Sequence, residues 1–497
     1  MKRLPNNPAR PSTLSERSES KGPPARSHAA SAATWCLLSI ALTGCSVGPD
    51  YEPPKIDSPS QFTSGSPETG DITEWWKQLN DPTLDALVAR AIANNLDLKR
   101  ASAALLEGRN LRGAAIADFL PDLDLGASVK RERISKNSSQ GQQPGVDLRR
   151  NHYDAGFDAL WEIDIWGGKR RALEQADAMY GISTEELHEV LMSLVAEVAR
   201  NYISLRGTQR QLAVAADGLL GQQEIFNLTK ARFDAGMATD LDLARAEAEV
   251  ELLKARIPSL NVAADRARHS LAALLGEWPT ALDRELAEVK PIPLPPPTPP
   301  AGLPANLLAR RPDLRKAEYR LVAATADIGV KVDAMLPHVN LIGNLGLESI
   351  DAQLFFRASS QTWSIGPSLS WRILSMPELY HQVKAADARA QQALLFYRQS
   401  VLNAFREVED ALSETASQDA RRAALTRSVA ANERAVNQAK NLYKQGLVSL
   451  MEVLETDKAW LNALNDLAQS DAAVATNRVA LYKALGGGWS LEDEPEE

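Results

Sequence analysis

Phe233-Asp234-Ala235-Gly236-Met237-Ala238-Thr239 breaks, once, a helical pattern that otherwise persists from about Arg170 to Leu275. Before the break, Leu187, Leu191, Leu194, Val198, Tyr202 and Leu205 step by three or four residues, as an apolar seam on one helix face must, with charged residues between them. The glycine permits a tight reversal, so two very long helices are expected to fold back on each other. At 1.5 Å per residue, the arm from Ala172 to Arg232 is on the order of 90 Å long, several times a usual helix. Such an arm is a strut, not a core element.

The arm occurs twice. A shift of 210 lays Ala231-Arg232-Phe233-Asp234-Ala235-Gly236 over Asn441-Leu442-Tyr443-Lys444-Gln445-Gly446, and Asp242 over Glu452. A shift of 216 lays Asn95 to Ala101 over Arg311 to Ala317, and Phe119-Leu120-Pro121 over Met335-Leu336-Pro337. One chain therefore holds two copies of one unit. The division expected is a leader over 1–44, a strap and first repeat over 45–290, a linker over 291–304, a second repeat over 305–490 and a tail over 491–497.

From Pro121 the period changes from helical to two. Leu123, Leu125, Ala127 and Val129 alternate with polar or small residues, and after a polar loop from about Ile134 to His152 so do Phe157, Ala159, Trp161, Ile163 and Ile165. In the second copy the alternation falls on Val339, Leu341, Leu345 and Leu347, then on Trp363, Ile365, Leu369, Trp371 and Ile373. Each copy is expected to give one hairpin. A half-buried soluble sheet would alternate in the same way; strands long enough to cross lipid, with polar residues on one face and Trp near the ends, favour a membrane barrel. Four strands cannot close a barrel and no open edge survives in hydrocarbon, so several protomers must share it.

The composition excludes other classes. The chain has 497 residues and a net charge of −9, with no basic stripe of the kind nucleic acid needs. Cys36 and Cys45 alone can build neither a disulfide framework nor a zinc site, and the six histidines lie in different elements with no partner at ligand spacing. Gly167-Gly168-Lys169 lacks the earlier glycine of a phosphate loop and reads as a strand-to-helix turn. No nucleophile pairs with a base, so no enzyme and no cofactor are expected. Basic residues from Lys2 to Arg26 precede an apolar run from Ala29 to Leu42, too short to remain as a membrane helix. The run ends in Leu42-Thr43-Gly44-Cys45, which resembles a bacterial lipoprotein box and implies cleavage before Cys45 and acylation of its sulfur. The expected address is the outer membrane, anchored by lipid. Gly48-Pro49-Asp50-Tyr51-Glu52-Pro53-Pro54 reads as an extended strap, and Pro291 to Pro300 as a stiff spacer between the copies. Trp75 and Trp76 read as packing residues.

Cys45-Ser46-Val47-Gly48-Pro49-Asp50-Tyr51, Trp75-Trp76 with Asp81-Pro82, the duplicated Leu-Pro strand starts, and the Gly446 turn followed by Val453-Leu454 together resemble the outer-membrane factor family of TolC and OprM. Tyr482-Lys483-Ala484-Leu485-Gly486-Gly487-Gly488-Trp489 looks like its NodT-type lipoprotein branch. The resemblance implies a mainly α protein with a membrane β-barrel: a homotrimer sharing a twelve-stranded barrel in outer-membrane lipid, continued by an α-helical tunnel. It implies the exit duct of a tripartite pump, partnered by a periplasmic adaptor and an RND-type inner-membrane transporter. It also implies aperture acids at Asp242, Glu452 and Glu455, and adaptor docking at the turns around Phe233, Gly236, Tyr443 and Gly446. Val448 stands where TolC has an arginine, so its salt-bridge latch does not carry over. A duct of type I protein secretion is the nearer alternative. A periplasmic adaptor is the farther one, since adaptors carry one helical hairpin and here hairpin and strands are both duplicated.

Overall fold

The computed structural model describes residues 46–56, 59, 62–63, 72–295 and 309–490. The leader with Cys45, residues 296–304 of the linker and the tail 491–497 lie outside the described residues.

The first repeat opens on a short 3-10 turn, Trp75–Leu79, and on helix α1, Pro82–Asn94. Asp81 starts α1 by accepting the backbone N–H groups of Thr83 and Leu84, two donors that a helix start otherwise leaves orphaned. Helix α2, Leu96–Ala117, leads to strands β1, Asp122–Arg133, and β2, Arg149–Ile163. Gly167, at φ 84°, then turns the chain into α3, Gly168–Asp234, where Asp164 caps the N–H groups of Lys169 and Arg170. The reversal leads to α4, Asp240–Leu274. The second repeat follows as α5, Pro312–Asp333; β3, His338–Ser349; β4, Gln361–Ser370; α6, Met376–Lys444; and α7, Leu450–Ala484. Corresponding elements match in length: α2 and α5 have 22 residues each, α4 and α7 have 35.

Each hairpin is asymmetric: α3 and α6 have 67 and 69 residues, about 100 Å each, whereas the returning α4 and α7 are half as long. Gly276 and Gly486, both at positive φ, end the returning helices. The remaining half of each long helix is covered by α2 and α5 instead. In the sheet, the loop after β1 is shorter than expected, because Lys130 to Arg133 pair in register with Arg149 to His152. A ladder needs backbone groups, not apolar side chains, so pairing continues after the hydrophobic alternation has stopped. At the other margin β4 ends at Ser370, before Trp371, whose indole donates to the carbonyl of Met335 at 3.0 Å.

The main core lies in a collar about the middle of the long helices, not along them. Trp75, 1 % exposed, stacks on Tyr482 with ring centroids 5.3 Å apart and meets Trp76 edge-on, so both tryptophans are packing residues. Around them sit Leu84, Leu87, Val198, Tyr202, Leu205, Leu271 and Val479. Arg311 ties α5, α6 and α7 of the second repeat together at this level, donating to Ala484 O, Asp313 and Glu407 at 2.8 to 3.0 Å. From the sheet the strap descends toward the collar. Val47 N–H donates to Trp166 O, the Tyr51 hydroxyl to Glu318, and Thr63 N–H to Glu409.

Candidate functional site

The four strands form one antiparallel sheet in the order β1-β2-β3-β4, so the two hairpins join through β2 and β3 while β1 and β4 are left as open edges. The register puts the alternating residues on common faces. Leu123, Leu125 and Val129, with Phe157 and Trp161, then Leu341 and Leu345, then Trp363, Ile365 and Leu369, share one face. Asp122, Asp124, Asp154, Asp158, Glu162, Asn340, Asn344, Ser364 and Ser368 share the other. Nothing among the described residues covers the apolar face: Leu125 is 72 % exposed and Trp363 69 %. That much uncovered apolar surface is sustained in lipid, not in water. Gly126, Gly156 and Gly346 lie opposite one another in a row across three strands on the polar face. A Cβ on Gly346 would come within 2.7 Å of Ala155 O, so side chains are absent where the backbones approach most closely.

The opposite end of the molecule is the paired tip of the two helical hairpins. Both turn by the same device. Gly236, at φ 70°, donates to Phe233 O while Met237 donates to Arg232 O; Gly446, at φ 79°, donates to Tyr443 O while Leu447 donates to Leu442 O. Ile225, Ala246, Ala439, Tyr443, Leu450, Val453 and Leu454 form a small core beneath the turns, so the hairpins pack as one tip.

Asp242 stands at the third position of α4, where Thr239 caps Asp242 N–H and the Asp242 carboxylate accepts both the hydroxyl, at 2.7 Å, and the N–H of Thr239. The hydroxyl bond holds this carboxyl below the usual carboxylate range, the reverse of what crowding in a ring of acids would do. Glu452 holds the equivalent place on α7; Ser449 accepts its N–H, but its carboxylate returns no bond. Glu455 is exposed one turn on.

Of the four turn residues, Phe233, Gly236 and Gly446 lie at the surface, but Tyr443 does not, which corrects its reading as a docking residue. It is 6 % exposed, with its hydroxyl 3.5 Å from Thr229 and its ring under the Arg232 guanidinium. A Tyr in the last turn of a helix that packs on its twin faces the twin. Sequence reasoning missed Arg232, the Lys440–Asp457 ion pair at 2.7 Å just above the tip, and the exposed apolar residues Met237, Leu241, Leu447 and Met451. The last four could have been found, since they are large apolar residues that directly follow the glycine turns. Near the collar it also missed a buried group in which Glu185 pairs with Arg315 at 2.8 Å and His188 stacks on Trp489 at 4.3 Å, fixing the C-terminal segment. Among the described residues there is no group of side chains that could hold a metal ion, and no helix long and apolar enough to cross a membrane.

A sheet with one bare apolar face, set at one end of helices about 100 Å long, has the plan of a membrane channel component. The chain belongs to the outer membrane efflux protein family, whose pattern it matches over residues 87–277 and 303–487, one match per repeat. It is an efflux channel protein of the outer membrane. It is 30 % identical to nodulation protein T of Rhizobium leguminosarum bv. trifolii, over 92 % of this chain and 97 % of that protein. It is 29 % identical to the cation efflux system protein CusC of Escherichia coli, over 91 % and 97 %. The pyoverdine export outer membrane protein OpmQ of Pseudomonas aeruginosa is 30 % identical, over 92 % and 96 %. Among solved structures, the outer-membrane channel OprN superposes with a TM-score of 0.83 at 35 % identity, covering 90 % of this chain and all of that one, and CusC with 0.77 at 27 %.

Proposed function

We propose that three copies of this chain close a twelve-stranded barrel, which α3, α4, α6 and α7 continue as a helical tunnel across the periplasm. The observation that carries this reading is the four-stranded sheet with both edges open and its apolar face bare. Each edge needs a strand, and β4 of one copy beside β1 of the next satisfies both without leaving an edge in lipid. Pro367 in β4 is compatible with an edge position.

In this reading the protein is the passive exit duct of a tripartite efflux pump for small molecules. An inner-membrane transporter of the RND type supplies energy, and a periplasmic adaptor docks at the tip around Phe233, Gly236 and Gly446. The exposed Met237, Leu241, Leu447 and Met451 offer that adaptor apolar area. Asp242, Glu452 and Glu455 line the aperture. Relatives named for cation efflux and for pyoverdine export share the fold's plan, so cargo is set by the partners. A lipid on Cys45 completes the anchoring. Ser46, the next residue, packs against Gly167 at the end of the sheet where the strands meet the helices, the level at which a periplasmic-leaflet lipid would lie.

Mass measurement in mild detergent tests the assembly, with three chains expected; a stable folded monomer overturns barrel and tunnel together. Cys45→Ser should lose radiolabelled palmitate, and label persisting on the variant overturns the anchor.

A further inference from the structure

Beyond Val129 and Tyr153 the outward row of the first hairpin changes character. The positions that continue the apolar face are Arg131 and Arg133 on β1 and Asn151 and Arg149 on β2, with Arg131 opposite Asn151 and Arg133 opposite Arg149. All three arginines are exposed, and among the described residues none has an ion pair. On the opposite, inward face, Arg150 bonds to Glu132 at 2.7 Å and His152 lies 3.8 Å from Glu348, while Lys130 also faces inward. Like charges directly opposite on a ladder destabilise it unless an anion lies between them.

The level of these arginines is fixed by the sheet. Along β2 the apolar row runs from Ile163 to Tyr153, and at about 3.4 Å per residue with a tilt near 40° this covers roughly 25 Å of height, the thickness of a lipid-facing band. Arg149, Arg131 and Arg133 lie just past its helix-distal margin. Aromatic residues mark the same margin: the Tyr153 ring lies 6.3 Å from Phe355, which meets Phe356 edge-on at 5.0 Å, and Phe356 is 86 % exposed. Aromatic rings of this kind sit at headgroup level. With the helices in the periplasm, the distal margin belongs to the outer leaflet.

We propose that Arg131, Arg133 and Arg149 form a binding site, one per protomer, for the phosphate groups of an anionic lipid headgroup in the outer leaflet. The inference rests on the barrel reading above. Planar guanidinium forks match phosphate oxygens two at a time, and three of them facing lipid rather than lumen select a lipid-borne phosphate over a passing solute.

The test counts lipids retained by the intact, detergent-purified protein in native mass spectrometry. Wild type should retain diphosphoryl lipid A, and the R131Q/R133Q/R149Q variant should retain about tenfold less. Lipid A stripped of its phosphates should bind both proteins equally weakly. K130Q, which removes a charge at the same height on the inward face, should behave as wild type. Equal retention by wild type and the triple variant overturns the site, as does an equal loss in K130Q. Full displacement of the lipid by millimolar inorganic phosphate would overturn the assignment to lipid. The same spectrum reports assembly before lipid is added. A monomer there overturns the duct reading and this site with it, whereas a trimer without arginine-dependent lipid overturns this site alone.

Discussion

The guanidinium of Arg232, in the last turn of α3, stands 4.5 Å from the ring centroid of Tyr443, in the last turn of α6. The contact ties the first repeat to the second at the point where each chain segment is about to reverse. A cation over an aromatic face contributes about 0.5–1 kcal/mol at an exposed site, enough to change an open-to-closed ratio by roughly two- to fivefold. Arg232→Gln and Tyr443→Ala should therefore each raise channel conductance or open time in planar bilayers by about that factor. Tyr443→Phe, which keeps the ring, should stay near wild type. If Tyr443→Phe behaves like Tyr443→Ala, the tie is the hydroxyl against Thr229 and not the ring.

The cap of α4 makes the first tip sensitive to acid. Hydrogen bonds from Thr239 depress the Asp242 pKa below its ordinary 3.8 in the folded chain. A carboxyl depressed by folding stabilises above its unfolded pKa, and that contribution disappears as pH falls through the folded value. Intrinsic-rate-corrected exchange protection of the amides following Thr239 should thus be constant at neutral pH and fall below about pH 4. Thr239→Ala should cost about 1 kcal/mol of local stability and bring the Asp242 pKa back up. The second tip is the internal control: Ser449 caps Glu452 without a returning bond, so its protection should vary less over the same range.

Much of this was legible in sequence because two signals were repeated. The glycine turns at Gly236 and Gly446 and the alternation from Leu123 and Val339 each occurred twice at a fixed offset, and a doubled weak signal is a strong one. What was not legible is what crosses between repeats. Nothing local to Arg232 names Tyr443, and nothing local to Glu185 names Arg315 or Trp489, since these partners are brought together only by packing α3 of the first repeat against α5 and α7 of the second. Charged strand ends such as Arg149 to His152 were read as loop because the alternation that reveals a strand reports one apolar face, and these residues have none. The place of Asp242 six residues past Gly236 was legible, but its reciprocal bond with Thr239 depends on a hydroxyl three residues back.

Three copies arranged around one axis would bring six carboxylates, from Asp242 and Glu452, to a single constriction. Clustered acids attract cations and resist anions. Asp242→Asn with Glu452→Gln should therefore reduce cation selectivity, read as a shift of the reversal potential in a salt gradient, and change conductance. The asparagine can still accept from Thr239, so the cap largely survives and the effect isolates charge. Unchanged selectivity and conductance would reduce both acids to helix caps.

The seam between the two repeats in the sheet rests on Gly156 opposite Gly346. A Cβ on Gly346 would stand 2.7 Å from Ala155 O and 2.9 Å from Gly156 Cα, both backbone atoms that cannot rotate away. β2 and β3 would have to separate, and in a closed barrel no edge can absorb the shift. Forcing a methyl into packed structure costs about 1–3 kcal/mol, and larger side chains cost more. Gly346→Ala should lower the temperature at which the assembled protein dissociates on a gel, and Gly346→Val should prevent assembly. Gly366, on β4 of the same sheet, has open space where a Cβ would lie, so Gly366→Ala should be close to neutral. Equal effects of Gly346→Ala and Gly366→Ala would mean that loss of glycine flexibility, and not close approach of the two repeats, limits the barrel at this seam.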